Sequence, residues 1–156
     1  MIEIVRATEQ HAIAMGPNVR EVDRAEVWAM RHIDPTDALL DCLGPHAYTA
    51  LDDGTPIAMF GVLESGSILG SEYAVPWLLG TDALDYRGLT IVRLSKVYMA
   101  VWKLRYKGMF NFVDARNTKS VRWLKTLGFT VHPAKPMGKD NLPFHFFDWN
   151  NASCAT

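Results

Sequence analysis

The chain has 156 residues, 49% of them hydrophobic, a length and apolar share that suit one domain around one sizeable core. Its 16 basic and 17 acidic side chains leave a net charge of -1, without the basic excess that neutralising nucleic-acid phosphates demands, so no nucleic-acid partner is expected. No stretch approaches the roughly 18 uninterrupted apolar residues of a membrane span, and the opening MIEIVRATEQ is charged from its third residue, which excludes a membrane segment and an export signal from the expected features.

Cys42 and Cys154 are the only cysteines and stand far apart, so a disulfide framework is not expected and a reducing cytoplasm is the predicted compartment. The five histidines are dispersed, without the i+3 or i+4 pairing of metal ligands, and no metal is expected.

Ile2 to Val5 form a short β-type run, and Thr8 can cap a helix whose first turn holds Glu9 and Gln10. Val19, Val22, Val27, Met30 and Ile33 recur at helical spacing, with Arg20, Glu21, Asp23 and Arg24 on a wet face. They predict an amphipathic helix from Val19 to Ile33 that stops near Asp34-Pro35. Thr36 to Leu43, bracketed by Pro35 and Gly44-Pro45, predicts a short helix over the sheet. Ala47 to Leu51 and Pro56 to Leu63, joined by Asp52-Asp53-Gly54, predict a hairpin, because Asp-Gly tolerates the positive φ of tight turns.

After the flexible Ser65-Gly66-Ser67, the run Tyr73 to Leu79 predicts a buried strand interrupted by Pro76. Gly88 to Tyr106 carries Leu89, Val92, Val97, Ala100, Val101 and Leu104 at helical intervals and predicts the longest helix. Met109 to Val113 reads as strand, Asn117 to Leu127 as helix, Phe129 to His132 as strand, and Phe144 to Trp149 as a closing aromatic strand. Part of the cluster Phe144, Phe146, Phe147 and Trp149 should face the core and part should wall an acceptor groove or a partner surface. Residues 1 to 149 therefore read as one mixed α+β domain and 150 to 156 as a flexible tail.

That order of elements, with Asn117-x-x-Ser120 and the exit Leu127-Gly128-Phe129, resembles the GNAT superfamily of N-acetyltransferases over most of the chain. The resemblance implies a GNAT-like α+β fold: a mostly antiparallel sheet of six to seven strands, flanked by about four helices and splayed between the fourth and fifth strands. NTKSVRWLKTLG, and GTDAL before the long helix, are similar to a phage-encoded branch that includes a small internal virion protein of short-tailed phages. That similarity implies the host cytoplasm as location and a host protein as a partner; a homodimer is compatible with it.

The chemistry implied by the resemblance is transfer of an acetyl group from acetyl-coenzyme A to an amine of a protein or small molecule. The cofactor's pantetheine arm would pair with the splayed strand at Leu78 and Leu79, a place where Pro76 suits an unpaired edge. Its phosphates would sit at Tyr86-Arg87-Gly88-Leu89-Thr90-Ile91-Val92, with Arg87, Gly88 and Thr90 as contacts, although Thr90 and Val92 stand where the family has small residues. Asn117 and Ser120 would touch the cofactor, but they also read as ordinary helix caps.

Glu72 is the candidate base and Glu64 its alternative, each equally readable as a surface carboxylate. The family's acidic tyrosine is replaced by Leu124, and neighbouring Trp123 carries no usable proton; Tyr98 or Tyr106 could substitute, unless both are core. These departures keep open a second reading, a non-enzymatic GNAT-like protein that acts as a virion component or binds a host protein.

Overall fold

Residues 1–65 and 72–151 are described by the computed structural model; Gly66 and Ser67 of the predicted connection, and Cys154, lie outside them. The opening strand β1 (Ile2–Arg6) leads to α1 (Glu9–Met15), whose cap Thr8 accepts a hydrogen bond from the His11 amide. Helix α2 (Glu21–Arg31) begins two residues later than predicted, because Val19 is extended and bridges to Thr81. It closes at His32, which adopts a left-handed φ of 53°. In α3 (Pro35–Asp41) the cap is Asp34, accepting from the Thr36 amide.

The predicted hairpin is β2 (Ala47–Asp52) and β3 (Thr55–Ser65), with Asp53 and Gly54 both at positive φ. Strand β4 (Tyr73–Gly80) follows. Helix α4 (Leu84–Arg105) starts four residues before the predicted Gly88. The early start is local chemistry: Thr81 Oγ1 accepts from the Ala83 amide, and the Thr81 carbonyl accepts from Leu84 N. Apolar residues lie all around α4, which blurs the periodic signal at its start.

Then come β5 (Gly108–Asp114), α5 (Thr118–Thr126) capped by Asn117, β6 (Thr130–Val131), β7 (Lys135–Met137) and β8 (Leu142–Asn150). Strand β7, only three residues long, is absent from the sequence expectation. It forms because Lys135 to Met137 finds a partner in Leu142 to Phe144. The sheet thus has eight strands in the order β1-β2-β3-β4-β5-β8-β6, with β7 on β8.

The two faces carry different helices. Met99 and Trp102 of α4, Leu124 of α5 and Leu127 just after it pack with Phe60, Val62, Met109 and Val113. Ala12, Met15, Ala38 and Leu39 of α1 and α3 cover the opposite face with Met59 and Leu79, and Val27 and Trp77 lie against them. Directly paired antiparallel residues share a face, so the register Phe146 to Phe112 and Phe147 to Asn111 divides the closing aromatics. Phe147 is buried edge-on to Phe129 on the α4–α5 side; Phe146 contacts Phe112 at 5.3 Å between ring centroids on the α2 side and is half-buried. None of the described helices is long and apolar enough to cross a membrane.

Candidate active site

Strands β4 and β5 are parallel neighbours only at Tyr73 to Gly108 and Ala74 to Met109. Beyond Ala74 they separate, so the expected splay between the fourth and fifth strands is present. Backbone groups of every second β4 residue point away from β3 and into the gap. Pro76 points there, since its carbonyl accepts from Asn111 Nδ2 at 2.8 Å. Gly80 does as well, its amide donating to Asp23 Oδ2 at 2.9 Å and its carbonyl accepting from the Arg20 amide at 2.9 Å. Between these two capped positions, Leu78 presents its N–H and C=O to the gap. Leu79 faces the other way, toward Met59 of β3, so only one of the two predicted pantetheine-pairing residues has its amide turned into the splay.

A cavity of about 250 Å³ runs through the sheet at this gap, from Val27 and Met30 on the α2 side to Tyr98 and Trp123 on the α4–α5 side. Trp77 and Trp123 line it, and each has an indole N–H that is buried with no hydrogen-bond partner among the described residues. A buried donor without an acceptor costs about 1–3 kcal/mol.

The cavity's one lining carboxyl is Glu26 of α2. Its Oε1 accepts the Asp114 amide at 2.6 Å. Burial pushes its pKa up to about 8, helped by the charges of Asp23 and Asp114 and opposed by the Asp114 amide and by Arg20. A half-buried carboxyl that titrates near neutrality inside a cleft has the character of an acid–base group. Cys42 also lines the cavity, but burial raises its thiol to about 11 and leaves it un-ionised at neutral pH.

Asp23, assigned by its sequence neighbours to a wet face, is buried. Besides the Gly80 amide it accepts Arg20 Nε at 2.8 Å and Asn117 Nδ2 at 3.3 Å, joining the end of β4 to the start of α5. Asn117 is 2% exposed: its Oδ1 caps the Ser120 amide and its Nδ2 is held by Asp23, so it braces the site from beneath. Ser120 lines the cavity, with Arg20 at 3.4 Å from its hydroxyl.

Of the other sequence candidates, Tyr98 and Leu124 line the cavity and the rest lie elsewhere. Glu72 is exposed at the closed end of the splay, paired with Lys107 at 2.7 Å and outside the cavity lining. Glu64 binds Tyr106 Oη and Arg105, each at 2.8 Å, which hold its carboxyl below the usual range. Tyr106 is core, and Leu124 is buried in the same cluster. Tyr98 lines the cavity, and burial raises its phenol.

The expected phosphate cradle differs most. Because α4 starts at Leu84, the amides of Leu84 to Arg87 are bonded to carbonyls of Thr81 to Ala83, and the Arg87 guanidinium is paired with Asp52 at 2.8 Å. Gly88 has open space where a side chain would be. Thr90 is exposed and faces away from the groove beside Gly88.

That groove, about 530 Å³, lies between the starts of α4 and α5 and shares Leu78, Ser120 and Trp123 with the cavity. Arg20, Lys119 and Arg122 line it. Lys119 is paired with Asp85 at 2.7 Å, and Arg122 has no ion-pair partner among the described residues. A pantetheine arm along Leu78 would deliver phosphates to these cations, so the residues fit coenzyme A through side chains instead of helix-start amides.

Several solved structures of similar fold are described as acetyltransferases. The GNAT-family acetyltransferase from Streptococcus pneumoniae superposes with a TM-score of 0.67 at 11% identity, over 96% of this chain and 99% of that one. Ard1 from Thermoplasma volcanium gives 0.73 at 12% identity, over 96% and 97%. The yncA structure from Salmonella typhimurium, solved with its cofactor acetyl-CoA, gives 0.67 at 18% identity, over 96% and 93%. No family model and no curated protein matches in sequence. The chain thus has the GNAT acetyltransferase fold.

Proposed function

We propose that the chain is an acetyl-coenzyme A dependent N-acetyltransferase in which Glu26, and not Glu72, is the base. The observation that carries this reading is the placement of a near-neutral carboxyl in a cavity that passes through the splay beside the outward amide of Leu78. The outward backbone of Leu78 would bind and orient the cofactor's polar chain, and Arg20, Lys119 and Arg122 its phosphates. When bound, acetyl-coenzyme A supplies the acyl carbon: an N–C bond forms, the C–S bond breaks, and the sulfur leaves as a thiol. Glu26 accepts the proton that an ammonium acceptor must lose to expose its nitrogen lone pair, and passes it to solvent. The apolar walls exclude water from the reacting pair.

Acetyl-coenzyme A at about 100 times its dissociation constant is expected to stabilise the fold by roughly 2.7 kcal/mol in a thermal unfolding measurement. Lys119→Ala and Arg122→Ala should each reduce that shift, while Arg87→Ala should leave it in place because Arg87 already serves Asp52. No shift at millimolar cofactor would sink the enzyme reading.

The second reading, a GNAT-like virion component or host-protein binder, is favoured by the bonded first turn of α4, by Leu124, and by Leu89, Val97 and Leu104 standing exposed along α4.

A further inference from the structure

Charge is spread unevenly over the two faces of the sheet. Helices α4 and α5 carry eight of the chain's 16 basic side chains and, in Asp85, one of its 17 acids, a net +7 in a chain whose total is -1. Arg87, Arg105 and Lys119 are paired with Asp52, Glu64 and Asp85, and Lys103 donates to the Leu127 carbonyl. Arg93, Lys96, Arg122 and Lys125 have no ion-pair partner among the described residues. The outward side of α4 adds apolar surface to that charge. Leu84, Ile91, Met99 and Trp102 face the sheet. Opposite them, at about 100° per residue, Tyr86, Val97 and Leu104 fall into one line about 27 Å long, with Leu89 and Val101 beside it. All five are exposed, from 58% at Val101 to 92% at Leu104. Lys96 and Lys103 stand along one flank of this stripe, Arg87 and Arg105 along the other, and Arg93 within it.

An apolar stripe with Arg and Lys on both flanks is the arrangement of a helix that lies in a lipid interface. Its apolar side chains enter the acyl boundary while its cations meet the headgroup phosphates, and Arg93 reaches them by laying its aliphatic stem along the stripe. Other occupants match less of the face. A second copy packed α4 on α4 would set Arg93 and Lys96 against their own counterparts, with no acid on the stripe to relieve them. Nucleic-acid phosphates suit the cations but give Val97 and Leu104 nothing to bury against. A protein would have to bury an acid against Arg93 in the middle of an apolar seam, a desolvation cost that a hydrated headgroup phosphate does not incur. We infer that the α4 face docks on the surface of an anionic lipid membrane, lying on it without crossing it.

The test sediments the full chain with vesicles of phosphatidylcholine alone and of equal parts phosphatidylcholine and phosphatidylglycerol. Binding to the anionic vesicles is expected to be at least about tenfold tighter than to the neutral ones. It should weaken as salt rises from about 0.1 to about 1 M, over which the screening length falls from about 10 to about 3 Å. Arg93→Gln with Lys96→Gln should cost about 25-fold, at about fivefold per cation. Val97→Ser with Leu104→Ser keeps every charge and should cost about tenfold, because these side chains act only by entering the lipid. Lys135→Gln with Lys139→Gln, on the β7–β8 hairpin that bonds to α2, should change nothing. Arg93, Lys96, Val97 and Leu104 line neither the cavity nor the coenzyme groove, so both α4 variants should keep their unfolding temperature and any shift with acetyl-coenzyme A. Docking therefore stands or falls separately from acetyl transfer. Equal binding to both vesicles, an equal loss in the hairpin variant, or full binding by the Val97 and Leu104 variant would overturn the inference. So would self-association without vesicles that this last variant abolishes, since it would place a second copy on the face.

Discussion

Glu26→Gln is expected to lower kcat/KM for acetyl transfer by about 10²–10⁴-fold, the usual contribution of a positioned general base. Glutamine keeps the carbonyl oxygen that accepts the Asp114 amide, so the local geometry survives and only the proton acceptor is lost. In the unaltered protein kcat/KM should climb with pH toward about 8, the value to which burial raises the Glu26 carboxyl from 4.5, and the substitution should abolish that limb.

The same shift has a consequence for stability. Between 4.5 and 8 the folded state holds a proton on Glu26 that the unfolded chain has released. This contribution to stability is therefore fully present below 4.5 and is lost as pH rises through 8, with a slope of at most about 1.4 kcal/mol per pH unit. Glu26→Gln should flatten the decline, so that its advantage over the original chain grows toward pH 8. Urea unfolding at three pH values measures this; an unaltered protein with no fall between pH 5 and 8 would show that Glu26 ionises freely and is no poised base.

Asp23→Ala should be the most damaging single change to the fold. It strips three donors of their shared acceptor: the Arg20 guanidinium, the Gly80 amide and the Asn117 side chain. Arg20 is 11% exposed at its side chain, so its charge would stay in the site largely unpaired. Breaking such a buried pair costs about 3–5 kcal/mol, which for a chain of this length corresponds to a melting temperature lower by roughly 10 °C. Asp23→Asn keeps the shape and should cost less. Asp85→Ala is the control, since it removes only a solvent-screened ion pair with Lys119 and should leave the unfolding transition nearly in place. If Asp23→Ala and Asp85→Ala unfold alike, Asp23 does not clamp α2 to β4 and α5.

What local chemistry dictates was legible in the sequence. Thr8 and Asn117 cap helices because a short side-chain oxygen reaches an amide three residues on, and Asp34, read only as a helix stop, caps the next helix in the same way. Asp53-Gly54 turns the hairpin because both residues tolerate positive φ. The order of elements gave the mixed α+β class, and the resemblance carried by the Asn117 to Phe129 motif implied the splay between β4 and β5.

The site was less legible, because burial and partners are set across the chain. Asp23 and Glu26 sit in the predicted amphipathic helix like any surface acids; 57 and 94 residues separate Asp23 from Gly80 and Asn117. The raised pKa of Glu26 comes from what packs over it, and no local pattern carries that. Glu72 reads as well as Glu26 along the chain, yet the fold leaves it exposed beside Lys107. Arg87 matched a phosphate motif, but Asp52, 35 residues away, takes its charge. The sequence by itself determined the helices, the hairpin turn and the succession of elements along the chain apart from β7, through capping, glycine conformation and apolar spacing. Only the tertiary structure decided which carboxyl lies in the cavity, which amide faces the gap and which cations line the groove, because desolvation and charge pairing depend on distances between segments far apart in the chain.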